Sequence, residues 1–144
     1  MMCISARNQF FGRVVRLNLG PINAEVGVDI GGGDNITALI TRPSVESLNI
    51  QEGSELIALV KASSVIVMTG DAKLKLSARN QLRGTVADCK KGAVNGEITL
   101  ELTSGKTVTA AITNASIDGL SLKPGDAAVA IIKSSSVILG VATS

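Results

Sequence analysis

Histidine, tryptophan and tyrosine are missing from this chain, and phenylalanine occurs only twice. Each absence closes a class of function. Without histidine the chain lacks the commonest metal ligand and the side chain best suited to act as a general base near neutral pH. With Phe10 and Phe11 as its only aromatic rings, both in one half, it lacks the stacking platforms that hold single-stranded nucleic acids at about 1–3 kcal/mol per base. The two cysteines, Cys3 and Cys89, have no Cys or His neighbour at metal-ligand spacing and are read as free thiols. Neither sign of charge dominates: 14 Lys and Arg against 12 Asp and Glu leave a net charge of +2, far from the basic surplus of a duplex-binding protein. No apolar run approaches the ~18 residues of a membrane span, and no leader segment is legible. The expectation is therefore a cytoplasmic protein with neither a nucleic-acid nor a membrane partner.

What is present is aliphatic, glycine-rich and written twice. Apolar residues make up 45% of 144 positions, and glycine occurs 15 times. Sliding the sequence by 72 residues lays Ile4-Ser5-Ala6-Arg7-Asn8-Gln9 on Leu76-Ser77-Ala78-Arg79-Asn80-Gln81, and the copies then run on without a gap. Of the 67 pairs between residues 4–70 and 76–142, 24 are identical. Many others exchange one aliphatic for another, as Val26 does with Ile98. Two modules of one fold follow, a first domain over residues 1–70 and a second over 71–144. A unit of this size buries only about 60% of its unfolded surface, so each is expected to need a partner.

Within each module the patterning is that of strands. Phe11–Leu19 and Arg83–Lys90 lead into the turns Gly20-Pro21-Ile22-Asn23 and Gly92-Ala93-Val94-Asn95. Glu25–Ile30 and Glu97–Leu102 alternate polar with apolar, the period of a half-buried strand. Gly31-Gly32-Gly33-Asp34 and Thr103-Ser104-Gly105-Lys106 make hairpin loops into the strands Ile36–Thr41 and Val108–Thr113. A short helix follows in each copy, Thr41–Leu48 and Thr113–Leu120, with a hydroxyl at its N-cap. Leu56–Lys61 with Val65–Met68, and Ala128–Lys133 with Val137–Val141, close the modules. Five strands with a helix between the third and fourth is the order of an all-β Greek-key barrel of the OB type, here two in tandem. The linker Thr69–Lys75, about 23 Å long at roughly 3.3 Å per residue, sets them side by side.

Three polar clusters recur at matching places: Ser5-Ala6-Arg7-Asn8 with Ser77-Ala78-Arg79-Asn80, Thr41 and Ser44 with Thr113 and Ser116, and Lys61-Ala62-Ser63 with Lys133-Ser134-Ser135. All of their polar side chains can donate a hydrogen bond, and none is a carboxylate. If the clusters converge, such a pocket suits an oxyanion fully deprotonated at neutral pH, such as sulfate, molybdate or tungstate. Hydrogen phosphate, which keeps a proton, fits it less well. Taken singly, Thr41 and Ser44 also read as an ordinary helix cap, Lys61 as a snorkelling strand-end residue, and Gly20 and Asn23 as turn formers. The Ser-Ala-Arg-Asn run goes beyond a cap or turn, because neither requires arginine. Catalysis has no support, since no pair of carboxylates recurs as an acid and base would, and the Gly31-Gly32-Gly33 loop is matched by Thr103-Ser104-Gly105 rather than by a phosphate-binding motif.

On these motifs the chain resembles the molbindins, small proteins built from Mop domains that bind molybdate and tungstate. Ser-Ala-Arg-Asn-Gln with Gly three residues on (Gly12, Gly84), Gly-x-x-Asn-x-Glu, Ile-Thr-x-x-Ser and Lys-[Ala/Ser]-Ser-x-Val-Ile appear in that order, twice. The resemblance implies OB-type domains assembled as a homotrimer, with oxyanions held at interfaces and no metal coordinated directly by protein. Carried over by position, it implies interface sites at Ser5, Ala6, Arg7, Thr41, Ser44, Lys61 and Ala62, and at Ser77, Ala78, Arg79, Thr113, Ser116, Lys133 and Ser134. The Ser-Ala-Arg-Asn segment of one domain and the lysine segment of another would share a pocket. A second kind of site around the threefold axis would use Gly20, Ile22 and Asn23, and Gly92, Val94 and Asn95, with Pro21 removing a backbone N–H that Ala93 keeps. The implied ligand is molybdate or tungstate, without an organic cofactor. The residues are used up by two binding modules, which leaves storage as the expected role. The alternative is a single-stranded nucleic-acid-binding OB protein.

Overall fold

The computed structural model describes residues 3–143 and contains ten strands and two short helices. In the first half these are β1 (Asn8–Leu19), β2 (Asn23–Gly31), β3 (Asp34–Thr41), α1 (Arg42–Ser47), β4 (Glu55–Val60) and β5 (Ile66–Thr69). The second half repeats them as β6 (Asn80–Lys91), β7 (Asn95–Leu102), β8 (Thr107–Thr113), α2 (Asn114–Leu120), β9 (Ala127–Ile132) and β10 (Ile138–Gly140). The fold class is the one expected, two curled five-stranded antiparallel sheets with one short helix each. The first strand of each half starts three residues earlier than its patterning indicates, so the final Asn of Ser-Ala-Arg-Asn already belongs to the sheet.

Chain order does not predict where the last strands go. The first sheet runs β10-β4-β1-β2-β3 and the second β5-β9-β6-β7-β8, so each half lends its fifth strand to the other. The cause lies in the Lys-Ala-Ser segments. Ala62–Ser64 and Ser134–Ser136 form single 3₁₀ turns flanked by extended residues, with Lys61 at φ −65° and ψ 139° and Val65 at φ −95° and ψ 124°. An extended entry and exit make a corner instead of a hairpin. The chain leaves β4, turns the corner, and pairs Ile66–Thr69 antiparallel with Ile131–Ala128 of the other sheet. Ile138–Gly140 pairs with Leu59–Ile57 in the reciprocal exchange.

The core follows from this exchange. Val65 and Val67 are buried with the second sheet, Val137 and Leu139 with the first, and the buried aliphatics of both halves form one continuous cluster. Equivalent bulges interrupt both long strands, between Val14 and Arg16 and between Val86 and Asp88, adding the curl that closes a barrel. Gly12 and Gly84 permit it: a Cβ there would lie 2.5 Å from the carbonyl oxygen of Asp29 or Glu101. This accounts for the glycine three residues after each Ser-Ala-Arg-Asn-Gln.

Because one half cannot complete its own sheet, a fragment ending at residue 72 is expected to form a homodimer, each copy's β5 closing the other's sheet. Analytical ultracentrifugation checks this, and a folded monomer would contradict the exchange.

Candidate functional site

The Ser-Ala-Arg-Asn run divides into a structural and an exposed part. Asn8 and Asn80 are each 2% exposed. Asn8 donates from Nδ2 to the Thr109 carbonyl at 2.8 Å and accepts from the Thr109 N–H at 2.8 Å. Asn80 does the same with Thr37, at 2.8 and 2.7 Å. Each side-chain amide thus acts as one peptide unit of a missing neighbouring strand, stapling its own half to the third strand of the other. Gln9 and Gln81 shape the preceding loops, donating from Nε2 to the Ala6 carbonyl at 2.9 Å and to the Ala78 carbonyl at 3.0 Å. With the loop tied at both ends, Ser5, Ala6 and Arg7 are held facing outward beside the module junction.

There they meet the lysine corner. An open cleft of about 500 Å³ is lined by Ser5, Ala6, Arg7, Lys61, Ala62 and Ser63 from the first half, and by Glu97, Ala111 and Ile138 from the second. Ser63 and Ala111 also border a second cleft, of about 540 Å³, which contains Thr113 and Ser116 at the start of α2. The single chain therefore joins Ser5, Ala6, Arg7, Lys61 and Ala62, and sets beside them Thr113 and Ser116 of the other half. Thr41 and Ser44 line neither cleft. Within the single chain this cleft brings together the Ser-Ala-Arg and lysine segments of the same half, with the Thr113 and Ser116 hydroxyls of the other half in the adjoining cleft. The strand exchange is the reason, because it carries the corner after Lys61 toward β8 and the corner after Lys133 toward β3. In the other half the Arg79–Glu25 ion pair and the Asn80–Thr37 staple repeat the contacts across the junction, and the Ser134–Ser136 turn packs against β3.

The helix starts are locally made. Thr41 Oγ1 accepts from the Ser44 N–H at 3.2 Å, and its hydroxyl lies 2.8 Å from Ser44 Oγ. Thr113 and Ser116 repeat this at 3.1 and 2.9 Å. One hydroxyl proton of each pair is spent on the mutual bond, leaving the other free to donate outward. So these residues are both a cap and a spare donor, with Ser63 and Ser135 adding hydroxyls at the corners.

A carboxylate stands where the sequence reading expects none. Glu97, on β7 opposite Ala111, pairs with Arg7, and Glu25, on β2 opposite Leu39, pairs with Arg79. The donor-only description fails because it considers only the three clusters, whereas the junction adds a residue from a fourth motif. Gly-x-x-Asn-x-Glu, identical in both copies, contained the signal. In the same motif Gly20 donates its N–H to the Asn23 carbonyl at 2.8 Å, and Gly92 to the Asn95 carbonyl at 2.9 Å. Arg42 and Asn114 tie these turns down by donating to the Gly20 and Gly92 carbonyls at 3.0 and 2.9 Å. Ile22 and Val94 project at the turn tips, each 73% exposed. The six turn residues form two separate tips that line neither cleft.

The remaining alternatives fare differently. Phe10 is buried and Phe11 alone is exposed, which leaves no row of aromatic rings for nucleic-acid bases. Among the described residues no group of His, Cys, Asp and Glu could hold a metal ion, and no helix is long and apolar enough to cross a membrane. Cys3 and Cys89 are both free.

Residues 4–67 and 76–139 each match the family model described as the TOBE domain. The chain is a tandem TOBE-domain protein of the molbindin family. A solved structure described as the cytoplasmic molybdate-binding protein ModG, in a form with molybdate bound, is 48% identical, with a TM-score of 0.93, over 98% of this chain and all of that one. Molybdenum transport protein ModE of Azotobacter vinelandii is 49% identical over 97% of this chain and 52% of its own length. The molybdenum-pterin-binding protein MopA of Rhodobacter capsulatus is 42% identical over 97% of this chain and 53% of its own. The chain thus spans about half the length of these curated relatives. Against molybdenum-pterin-binding protein 1 of Clostridium pasteurianum it is 49% identical over 67 residues, 98% of that protein.

The staples define a stability test. Asn8→Ala leaves a buried N–H and a buried carbonyl of Thr109 without partners, and is expected to cost about 2–4 kcal/mol in urea unfolding. A loss below about 0.5 kcal/mol, the scale of an ordinary surface substitution, would show that the staple carries no weight.

Proposed function

We propose that this molbindin binds molybdate or tungstate and stores it in the cytoplasm without catalysis, holding the anions where its two halves meet. The observation that carries the reading is the convergence of Ser5-Ala6-Arg7 with Lys61-Ala62-Ser63 on one cleft. The repeat supplies the same residue types for a second cleft. The fixed cation of Arg7, the lysine ammonium and several hydroxyl donors match an anion with four oxygens and no proton. The similarity to a protein described as a cytoplasmic molybdate-binding protein supports both ligand and location. Non-catalytic storage fits a donor set that has neither histidine nor a metal cluster.

In this reading one site uses Ser5, Ala6, Arg7, Lys61 and Ala62 with Thr113 and Ser116. The other uses Ser77, Ala78, Arg79, Lys133 and Ser134 with Thr41 and Ser44. The clefts are open and much larger than a tetrahedral oxyanion, which favours a homotrimer whose other subunits narrow them. Exposed Ile22 and Val94 are suited to pack near such a threefold axis. Gly20 and Asn23, with Gly92 and Asn95, would then face a common axial space. No nucleic acid or organic cofactor is required.

Calorimetry with molybdate against sulfate and phosphate tests the ligand, and no preference for the larger oxyanion would refute it. The Lys61→Ala, Lys133→Ala double variant is expected to stay folded and lose about 2–5 kcal/mol of binding at each interface site, as when one partner of a buried charged hydrogen bond is removed. Full molybdate stoichiometry in that variant would remove the lysines from the assignment. Sedimentation is expected to give a trimer.

A further inference from the structure

The Arg7–Glu97 and Arg79–Glu25 pairs are poorly explained as braces. All four side chains keep 31–52% of their exposure, the range in which an ion pair adds little to stability. The halves are already joined by two exchanged strands and two buried amide staples. Yet both glutamates survive in copies that differ at most positions, and both reach across the junction to the arginine of the other half's Ser-Ala-Arg-Asn run.

We infer that Glu97 and Glu25 are built-in counter-anions that lower the affinity of the two clefts for their oxyanion, so that a tightly complementary site can still release its cargo. The inference rests on the proposed function. An arriving dianion must share Arg7 with Glu97 or take it away, and in either case it sits close to a like charge. A carboxylate about 6 Å from a dianion, even at the dielectric of water, corresponds to about a tenfold loss of affinity. Lys61 has no such competitor among the ion pairs of the described residues and supplies the unopposed attraction. The arrangement divides the work, with lysine capturing the anion and the arginine–glutamate pair setting how firmly it stays.

Glu97→Gln and Glu25→Gln keep size and a hydrogen-bond acceptor while removing the charge. Isothermal titration with molybdate at low ionic strength is expected to show about tenfold tighter binding at one class of sites in each single variant and at both in the double. Slower dissociation should accompany it, and the gain should shrink at high salt, where the Debye length shortens. Thermal melting should change little, and because the two variants lie in separate pairs, either can report if the other is unstable. Unchanged or weaker binding in folded variants overturns the inference and leaves the proposed function standing. Absence of molybdate binding by the unmodified protein overturns that function, and the inference with it.

Discussion

Everything in this molecule depends on the fact that neither half can finish its own sheet. The short 3₁₀ corners after Val60 and Ile132 send each fifth strand to the opposite half, and the buried amides of Asn8 and Asn80 replace a strand neighbour on the opposite edges. Both devices act through backbone hydrogen bonds, which cannot be left unmade in a buried setting without cost. The junction between the halves is therefore continuous core and sheet, and its geometry is as firmly set as the interior of a single domain. Two small modules of marginal size thereby share one aliphatic core.

The candidate site is a by-product of that construction. The loop that bears Ser5, Ala6 and Arg7 is pinned by Asn8 on one side and by Gln9 along its length, and the corner that exchanges the strand bears Lys61. The elements that join the halves are thus the same ones that present the donors. Binding groups placed on rigid, doubly anchored segments need little ordering when a ligand arrives, which is the physical advantage of siting recognition at a junction. Glu97 lines the cleft because β7 pairs with β8, against which the Lys61 corner packs, and Glu25 meets Arg79 through the equivalent pairing of β2 with β3.

The repeat made much of this legible in advance. Strand patterning, the capped helices and the glycines of the two long strands could be read because each half checked the other, and the three polar clusters could be named as candidates on identity between copies. What sequence could not reveal is long-range pairing. Val65–Met68 and Val137–Val141 look like the last strands of their own modules, since an apolar run does not state its neighbour. Asn8 could not be told from Arg7 beside it, because a buried amide staple and an exposed donor look alike in a polar run until register is known. Glu97 was visible in its motif but had no reason to be connected with Arg7, 90 residues away. The regrouping of Thr113 and Ser116 with Lys61 has the same origin, as it follows entirely from the exchange.

The central claim is that oxyanions sit at the junction, between the Ser-Ala-Arg loop and the lysine corner of the same half. The most direct measurement is an anomalous difference map from crystals grown with molybdate. The account requires peaks within hydrogen-bonding reach of Ser5, Arg7 and Lys61 and of Ser77, Arg79 and Lys133. Metal density confined to the turn tips at Ile22 and Val94, or absent from both junction clefts, would contradict it.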